Sequence, residues 1–145
     1  MAKENLCTES PFELFNYNKE DKYPYICNLA NQAVEKFLKG FIKENGQPVT
    51  KTHEIDKFCY QALNINLKFS EIKEHCLKVY DFYSGMRYSS ETPITKSDVI
   101  DVIESTKIIY NFEPIKNLRK KFSKMNNYSQ PKDLKIGPLD SFILR

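Results

Sequence analysis

The stretch "NQAVEKFLKGFIKENG", residues 31–46, decides the fold class, because its apolar and polar residues separate onto opposite sides of a helix. A helix turns about 100° per residue, and at that period the predicted helix from Tyr25 to Glu44 has two distinct arcs. The apolar arc holds Ile26, Leu29, Ala30, Ala33, Val34, Phe37, Leu38 and Phe41. The polar arc holds Asn28, Asn31, Gln32, Glu35, Lys36, Lys39 and Lys43. Gly46 supplies a stop, so this helix is expected to bury one side and expose the other.

The remainder of the chain repeats the helical period, since apolar residues recur at intervals of three and four and strand alternation is absent. A weak helix is predicted over 11–17. A helix capped by Thr52 follows and ends near Asn64–Asn66. The next helix begins at Ser70 and is released at Gly85. The inner stripes of these two helices are Ile55, Phe58, Cys59 and Leu63, then Ile72, Cys76, Val79, Tyr80 and Tyr83.

"TKSD", residues 95–98, has the form of a capping box and opens a helix with Val99, Val102, Ile103, Ile109 and Tyr110 on one stripe. Pro114 is expected to interrupt that helix. Beyond Pro114 a basic amphipathic helix is predicted, with Ile115, Leu118, Phe122 and Met125 opposite Lys116, Arg119, Lys120, Lys121 and Lys124. The residues after Met125 lose periodicity. The sequence therefore predicts an all-α protein with an irregular C-terminal tail.

Composition indicates one globular unit. The chain has 145 residues, of which 41% are hydrophobic and 28% charged, as expected for a single domain over 1–145. We expect its core at about 25–112 and the basic helix and tail at 113–145. No apolar run approaches the roughly 20 residues of a membrane span, and the start lacks a signal-peptide pattern, so a cytoplasmic location is expected.

Positive charge is distributed unevenly along the chain. Residues 1–113 hold 14 basic and 17 acidic side chains, whereas residues 114–145 hold 8 basic and 2 acidic ones. Such a basic segment can bind nucleic acid or an acidic surface, or be merely solvated.

The four cysteines form no C-x-x-C pair, and the last three fall on apolar stripes typical of reduced core thiols. No metal or cofactor is expected.

Three places could carry chemistry. The polar row Gln32, Glu35, Lys36 and Lys39 is either a solvated face with a Glu35–Lys39 pair or a ligand surface. His53, in the first turn of its predicted helix, could be a capping partner or a ligand contact. The guanidinium of Arg87 could stack on Tyr83 or Tyr88, or clamp a phosphate or carboxylate. Gly-rich phosphate loops, G-x-S-x-G and H-E-x-x-H are absent from the sequence.

The order of these parts resembles the HEPN family (higher eukaryotes and prokaryotes nucleotide-binding). The similar pieces are the run Gln32, Ala33, Glu35, Lys36, Leu38 and Lys39, the pair Thr52–His53, and the pair Arg87–Tyr88. The resemblance covers roughly 25–112. It implies an antiparallel up-and-down bundle of four to five helices, usually dimeric. It also implies nucleotide or nucleic-acid binding, pairing with a nucleotidyltransferase in toxin–antitoxin-like modules, or metal-independent RNA cleavage.

The nuclease members of that family carry an arginine followed, after four to six residues, by a histidine. No arginine in this sequence stands at that distance before His53 or His75, so no catalytic residue is assigned. The resemblance therefore favours a non-catalytic protein, a homodimer acting with a nucleotidyltransferase. An RNase or toxin, and a nucleic-acid-binding module using the basic C-terminal helix, remain the alternatives. In the favoured interpretation Lys36, Lys39 and Arg87 bind phosphate, Tyr83 or Tyr88 stacks, Gln32 or Glu35 hydrogen-bonds a base or sugar, and His53 lines the groove.

Overall fold

The computed structural model describes residues 22–83 and 92–124, and within these ranges the chain forms five α-helices and one 3-10 helix. The helices are α1 (Tyr23–Glu44), α2 (Ile55–Ile65), the 3-10 helix (Leu67–Glu71), α3 (Lys73–Asp81), α4 (Lys96–Tyr110) and α5 (Glu113–Lys124). The described ranges hold no strand, so the predicted all-α bundle is confirmed. The helix predicted over 11–17 and the tail after Met125 lie outside the described residues.

Helix α1 is the central element, because it packs against each of the other four α-helices. Its side chains are therefore covered on more than the apolar arc. Asn31 and Glu35, predicted on the exposed arc, are both buried. That part of the prediction is wrong, since helical period shows which residues share a side but not how many neighbours cover it. Gly46, at a φ of +75°, ends the turn after α1 as predicted.

Helix α2 begins later than the sequence pattern suggested. Its first residue is Ile55, and the preceding Glu54 is the cap residue, so the predicted cap at Thr52 is wrong. The Thr52 hydroxyl instead accepts a hydrogen bond from the Glu54 amide at 3.2 Å and donates one to the Glu54 carboxylate at 2.9 Å. Thr52 thus orders the approach to the helix rather than its first turn.

The helix predicted from Ser70 is divided in two. Ser70 lies in the 3-10 helix, whose start is capped by the Asn66 side chain accepting from the Lys68 amide at 2.9 Å. Helix α3 follows at Lys73. The 3-10 helix carries Phe69 into the core, where its buried ring lies against Phe41 and Phe112 with centroids 4.5 and 5.0 Å away.

The remaining boundaries follow the sequence. Thr95 and Asp98 form the predicted capping box at the start of α4, with hydrogen bonds of 2.9 and 3.1 Å. Helix α4 ends at Tyr110, and Pro114 is the second residue of α5. Proline is tolerated in a first turn, where its missing amide hydrogen has no intrahelical partner. Ile115 and Leu118 of α5 are buried, as predicted.

The first connection reverses the chain before α2 begins. His53 lies against Glu35, Phe58 lies under Lys39, and Phe69, beyond the end of α2, packs on Phe41. These contacts place the start of α2 beside the middle of α1 and not beside its end at Glu44. The segment between them crosses back and is held by the Gln61 amide, which donates to the Pro48 carbonyl at 3.0 Å. This crossover brings residue 53 to the middle of α1.

Candidate functional site

A buried carboxylate organises the middle of α1. Glu35 is 8% exposed, and its Oε2 atom accepts from Lys39 Nζ at 2.8 Å and from His53 Nδ1 at 2.9 Å. A carboxylate this deep is costly unless it is paired. The two nitrogens supply that pairing, one from the next turn of α1 and one from the crossover segment. Glu35, Lys39 and His53 therefore form one cluster, which we call the Glu35 cluster.

The two partners of Glu35 have different surroundings. Lys39 keeps its ammonium near the surface, 5.3 Å from the centre of the Phe58 ring, where a cation is attracted by the aromatic face. His53 has a side chain that is 79% exposed. Since an ionised carboxylate only accepts hydrogen bonds, His53 holds a proton on Nδ1, and Nε2 is the ring nitrogen left for another partner.

Polar and basic residues extend from this cluster along α1. Gln32, Lys36, Lys39 and Lys43 follow at intervals of four, three and four residues, which places them on one side of the helix. Gln32 and Lys43 are exposed, and Lys36 and Lys39 are half-buried. We call these four residues the α1 strip. With His53 beside it, the strip presents cationic and hydrogen-bonding groups together.

The residues just after His53 carry negative charge. Hydrogen bonding from Thr52 and then from Lys57 lowers the pKa of Glu54 below its ordinary 4.5. Lys57 Nζ lies 3.3 Å from that carboxylate. The crossover segment is thereby ordered on both sides of His53, by Glu35 behind it and by the Thr52–Glu54 bonds around it. Such ordering lowers the entropy that a ligand-contacting side chain loses on binding.

Tyr83 lies beyond the end of α3, and its ring stacks on that of Tyr80, with centroids 6.5 Å apart and an interplanar angle of 17°. Burial raises the pKa of Tyr80, and the charges of Asp56 and Glu54 raise it further. Glu54 is the cap residue of α2, and Asp56 lies in the first turn of that helix. Arg87 and Tyr88 lie outside the described residues, and their proposed roles stay predictions.

The structure therefore brings together Glu35, Lys39 and His53, with Gln32 and Lys36 on the same side of α1. Glu35 forms the i, i+4 pair with Lys39 that the sequence predicted, and its hydrogen bond with a ligand stays a prediction. Both contacts of its Oε2 atom are to protein nitrogens, so this carboxylate positions its neighbours. The glutamine of the run, Gln32, is the exposed hydrogen-bonding group. The sequence showed the i, i+4 pair with Lys39, but nothing local indicates that His53 would complete the cluster.

A buried amide one turn before Glu35 was also missed. Asn31 is 1% exposed, and its Oδ1 atom has no hydrogen-bond partner within the described part of the chain. Buried polar atoms are almost always paired, so an unpaired carbonyl oxygen is a place where a water or a donor can bind. The helical period predicted where Asn31 lies on α1, whereas its burial depends on the helices that pack around α1.

A separate cavity of about 620 Å³ opens between α2 and α3, away from the α1 strip. Its walls are mostly apolar and are formed by Thr50, Asp56, Lys57, Cys59, Tyr60, Gln61, Leu63, Lys73 and Leu77. Cys59 of α2 and Cys76 of α3 are free, buried thiols. Among the residues that the structure describes, no three His, Cys, Asp or Glu side chains group in a way that could hold a metal ion.

The chain belongs to the HEPN domain family, whose model matches residues 14–118. The match includes α1 to α4, the Glu35 cluster and the Arg87–Tyr88 pair, so the resemblance found in the sequence is confirmed. Family membership supports a nucleotide- or RNA-related module. Neither a curated protein nor a solved structure matches the chain significantly. No helix within residues 22–83 and 92–124 is long and apolar enough to cross a membrane.

Proposed function

We propose that this chain binds a phosphate-bearing ligand, a nucleotide or a segment of RNA, on the α1 strip beside His53. The contact of one buried carboxylate with both Lys39 and His53 is the observation that carries the proposal. A solvated face needs no such carboxylate, because exposed lysines are hydrated in many conformations. A binding surface gains from it, since the cations are already positioned when the anion arrives.

Each group of the site has a defined part in this proposal. Lys36 and Lys39 attract phosphate, and His53 donates to a phosphate oxygen through Nε2 when protonated or accepts from a sugar hydroxyl when neutral. Gln32 hydrogen-bonds a base edge or sugar. Tyr83 offers a surface for base stacking, worth about 1–3 kcal/mol for each base stacked in this way. Arg87 and Tyr88 are retained as further phosphate and stacking groups.

The proposed activity is binding without catalysis, because the arginine–histidine spacing of the nuclease members is missing from the sequence. We further propose that the chain acts as a homodimer with a nucleotidyltransferase partner, on the basis of family membership. Two exposed isoleucines on α4, Ile100 at 42% and Ile108 at 44%, offer apolar surface for such an interface. Analytical ultracentrifugation of the protein alone and with a candidate nucleotidyltransferase tests both associations.

Ligand binding is tested with two probes, ATP and a short fluorescein-labelled oligouridylate, measured by calorimetry and fluorescence anisotropy. Lys36→Glu should weaken binding of the probe that is recognised by about tenfold and make the salt dependence less steep, as expected when a phosphate contact is lost. The matched control is Lys120→Glu, the same charge change on exposed α5, which should leave affinity within about twofold.

If both variants lose affinity equally, binding reflects net charge rather than the α1 strip, and the site assignment is wrong. If neither probe binds the wild type, the ligand proposal is wrong as well. Incubation of the protein with total RNA, with and without a chelator, is expected to leave the RNA intact. Cleavage that persists in chelator would favour the RNase alternative.

A further inference from the structure

The cavity between α2 and α3 has the size and the apolar wall of a small-molecule site. Its volume of about 620 Å³ lies within the range of roughly 300–1,000 Å³ that such sites occupy. Cys59, Leu63 and Leu77 contribute apolar surface, and Tyr60, in the same wall, is 66% exposed. An apolar molecule that covers this surface removes it from water, which is favourable. The cavity therefore favours a ligand with an apolar body.

Three polar side chains of the wall already have partners within the protein. The Thr50 hydroxyl donates to the side-chain oxygen of Gln61, and the Gln61 amide donates to the Pro48 carbonyl. Lys57 Nζ lies 3.3 Å from the carboxylate of Glu54. The charged groups of the wall that remain for a ligand are one aspartate and one lysine.

That aspartate and that lysine lie at the starts of two helices. Asp56 is in the first turn of α2, where the positive end of the helix stabilises a carboxylate. Lys73 is the first residue of α3, where the same positive end is unfavourable for a cation. Lys73 forms no ion pair with any residue that the structure describes. An anionic group beside Lys73 is therefore attracted both by its ammonium and by the start of α3.

We propose that this cavity binds a monocarboxylate with an apolar body, the body between α2 and α3 and the carboxylate at Lys73. Asp56 in the same wall repels additional negative charge, so one carboxylate fits better than a phosphate monoester, which carries a charge of about −1.5 to −2. The body supplies affinity by leaving water, and the ion pair with Lys73 sets its orientation. The wall shares no residue with the α1 strip or the Glu35 cluster, so this proposal is independent of the proposed function.

Calorimetry tests the chemical class with three probes that share a ten-carbon chain, each kept below its micelle concentration: decanoate, decyl phosphate and decylammonium. Decanoate should bind at least about fivefold more tightly than the other two, because only its charge suits both Lys73 and Asp56. Octanoate should bind about 15-fold more weakly than decanoate, since each buried methylene changes affinity about fourfold. Absence of decanoate binding, equal affinity for the three head groups, or equal affinity for the two chain lengths would overturn the proposal.

Two pairs of variants test the residues. Lys73→Ala should weaken decanoate binding about fivefold, whereas Lys78→Ala, the same change at an exposed position of α3 outside the wall, should leave it within about twofold. Tyr60→Ala should weaken it about fivefold, and Leu67→Ala, exposed and outside the wall, should not. All four side chains are exposed, so the fold is expected to persist, which circular dichroism checks. Equal losses within either pair would contradict the assignment.

Nuclear magnetic resonance of nitrogen-15-labelled protein locates the bound decanoate. Amide shifts are expected to change within residues 56–63 and 73–77, which include most of the wall, and not along 32–43 of α1. Changes centred on α1 would show that decanoate binds the α1 strip instead, and the cavity proposal would be wrong. Lys36→Glu should leave decanoate affinity within about twofold, which separates this site from the one tested with ATP and oligouridylate.

Discussion

Helices α1 and α5 both present rows of lysine, but the protein holds the two rows in different ways. Lys39 of α1 and His53 of the crossover segment share the carboxylate of Glu35, which is almost completely buried. On α5, Lys116, Lys120 and Lys124 are exposed at intervals of four residues. Basic side chains are held in place where a buried carboxylate pairs with them. Amphipathic spacing alone does not show whether such a carboxylate is present.

The attachment of α5 uses other residues. Arg119, predicted on the basic face, lies with its guanidinium carbon 3.5 Å from the centre of the Tyr110 ring and donates to the Tyr110 carbonyl at 2.9 Å. Lys121 pairs with Glu44 at the end of α1. Two of the five basic residues of α5 therefore join it to the bundle, which weakens the interpretation of this helix as a nucleic-acid contact.

Among the substitutions that compare α1 with α5, Glu35→Gln is expected to lower the stability of the protein most. The substitution removes the charge that compensates Lys39 and orients His53, so the free energy of unfolding should fall by about 2 kcal/mol. Urea denaturation followed by circular dichroism measures the change. A loss under about 0.5 kcal/mol would mean that the cluster contributes little and that α1 is held by its apolar packing alone.

Next in size is Arg119→Ala, which tests whether α5 is held by its arginine. Loss of the aromatic contact and of the hydrogen bond to Tyr110 should lower the free energy of unfolding by about 1–2 kcal/mol. Lys120→Ala, one residue further on an exposed position, is the control and should change it by less than about 0.5 kcal/mol. Equal effects of the two substitutions would show that the Arg119 contact is not specific.

A smaller effect is expected from Glu44→Gln, which breaks the ion pair between α1 and α5. The Lys121 side chain is 57% exposed, so screening by solvent limits the loss to about 0.5 kcal/mol, and added salt should abolish it. Denaturation at low and high salt gives both values. A salt-independent loss would indicate that Glu44 contributes through packing instead of charge.

The smallest effect concerns the pH dependence at the start of α2. Because the folded-state pKa of Glu54 is lowered, its stabilising contribution is present above the unfolded value of 4.5 and is lost as pH falls through the folded pKa. Thr52→Val removes the main cause of that shift. The stability difference from wild type should therefore be largest near neutral pH and shrink below pH 4.5.

Nuclear magnetic resonance titration of the Glu54 carboxyl, with denaturation over the same pH series, measures this change directly. Thr50→Val is the matched control, since the Thr50 hydroxyl donates to Gln61 and not to a carboxylate. Its effect should not vary with pH in this range. An unchanged Glu54 titration in Thr52→Val would show that Thr52 does not order the segment around His53.

Much of the fold was predictable because it depends on local rules. The capping box at Thr95, the break at Pro114 and the stop at Gly46 each follow from backbone chemistry within a few residues. The start of α2 was not predicted, because local capping preference favours Thr52, whereas Glu54 precedes the helix without a side-chain capping bond and the first helical residue, Ile55, is fully buried. The division at Ile72 was not predicted either, because the apolar spacing continues across it.

The amino-acid sequence by itself determined the all-α class, the HEPN family and the residues that share a side of each helix, because these depend on spacing along the chain. Only the tertiary structure decided which sides are covered. It buried Glu35 and brought His53 back to it through the crossover. This contact joins residues 18 positions apart in sequence, and such a pairing depends on how helices pack, which no local pattern encodes.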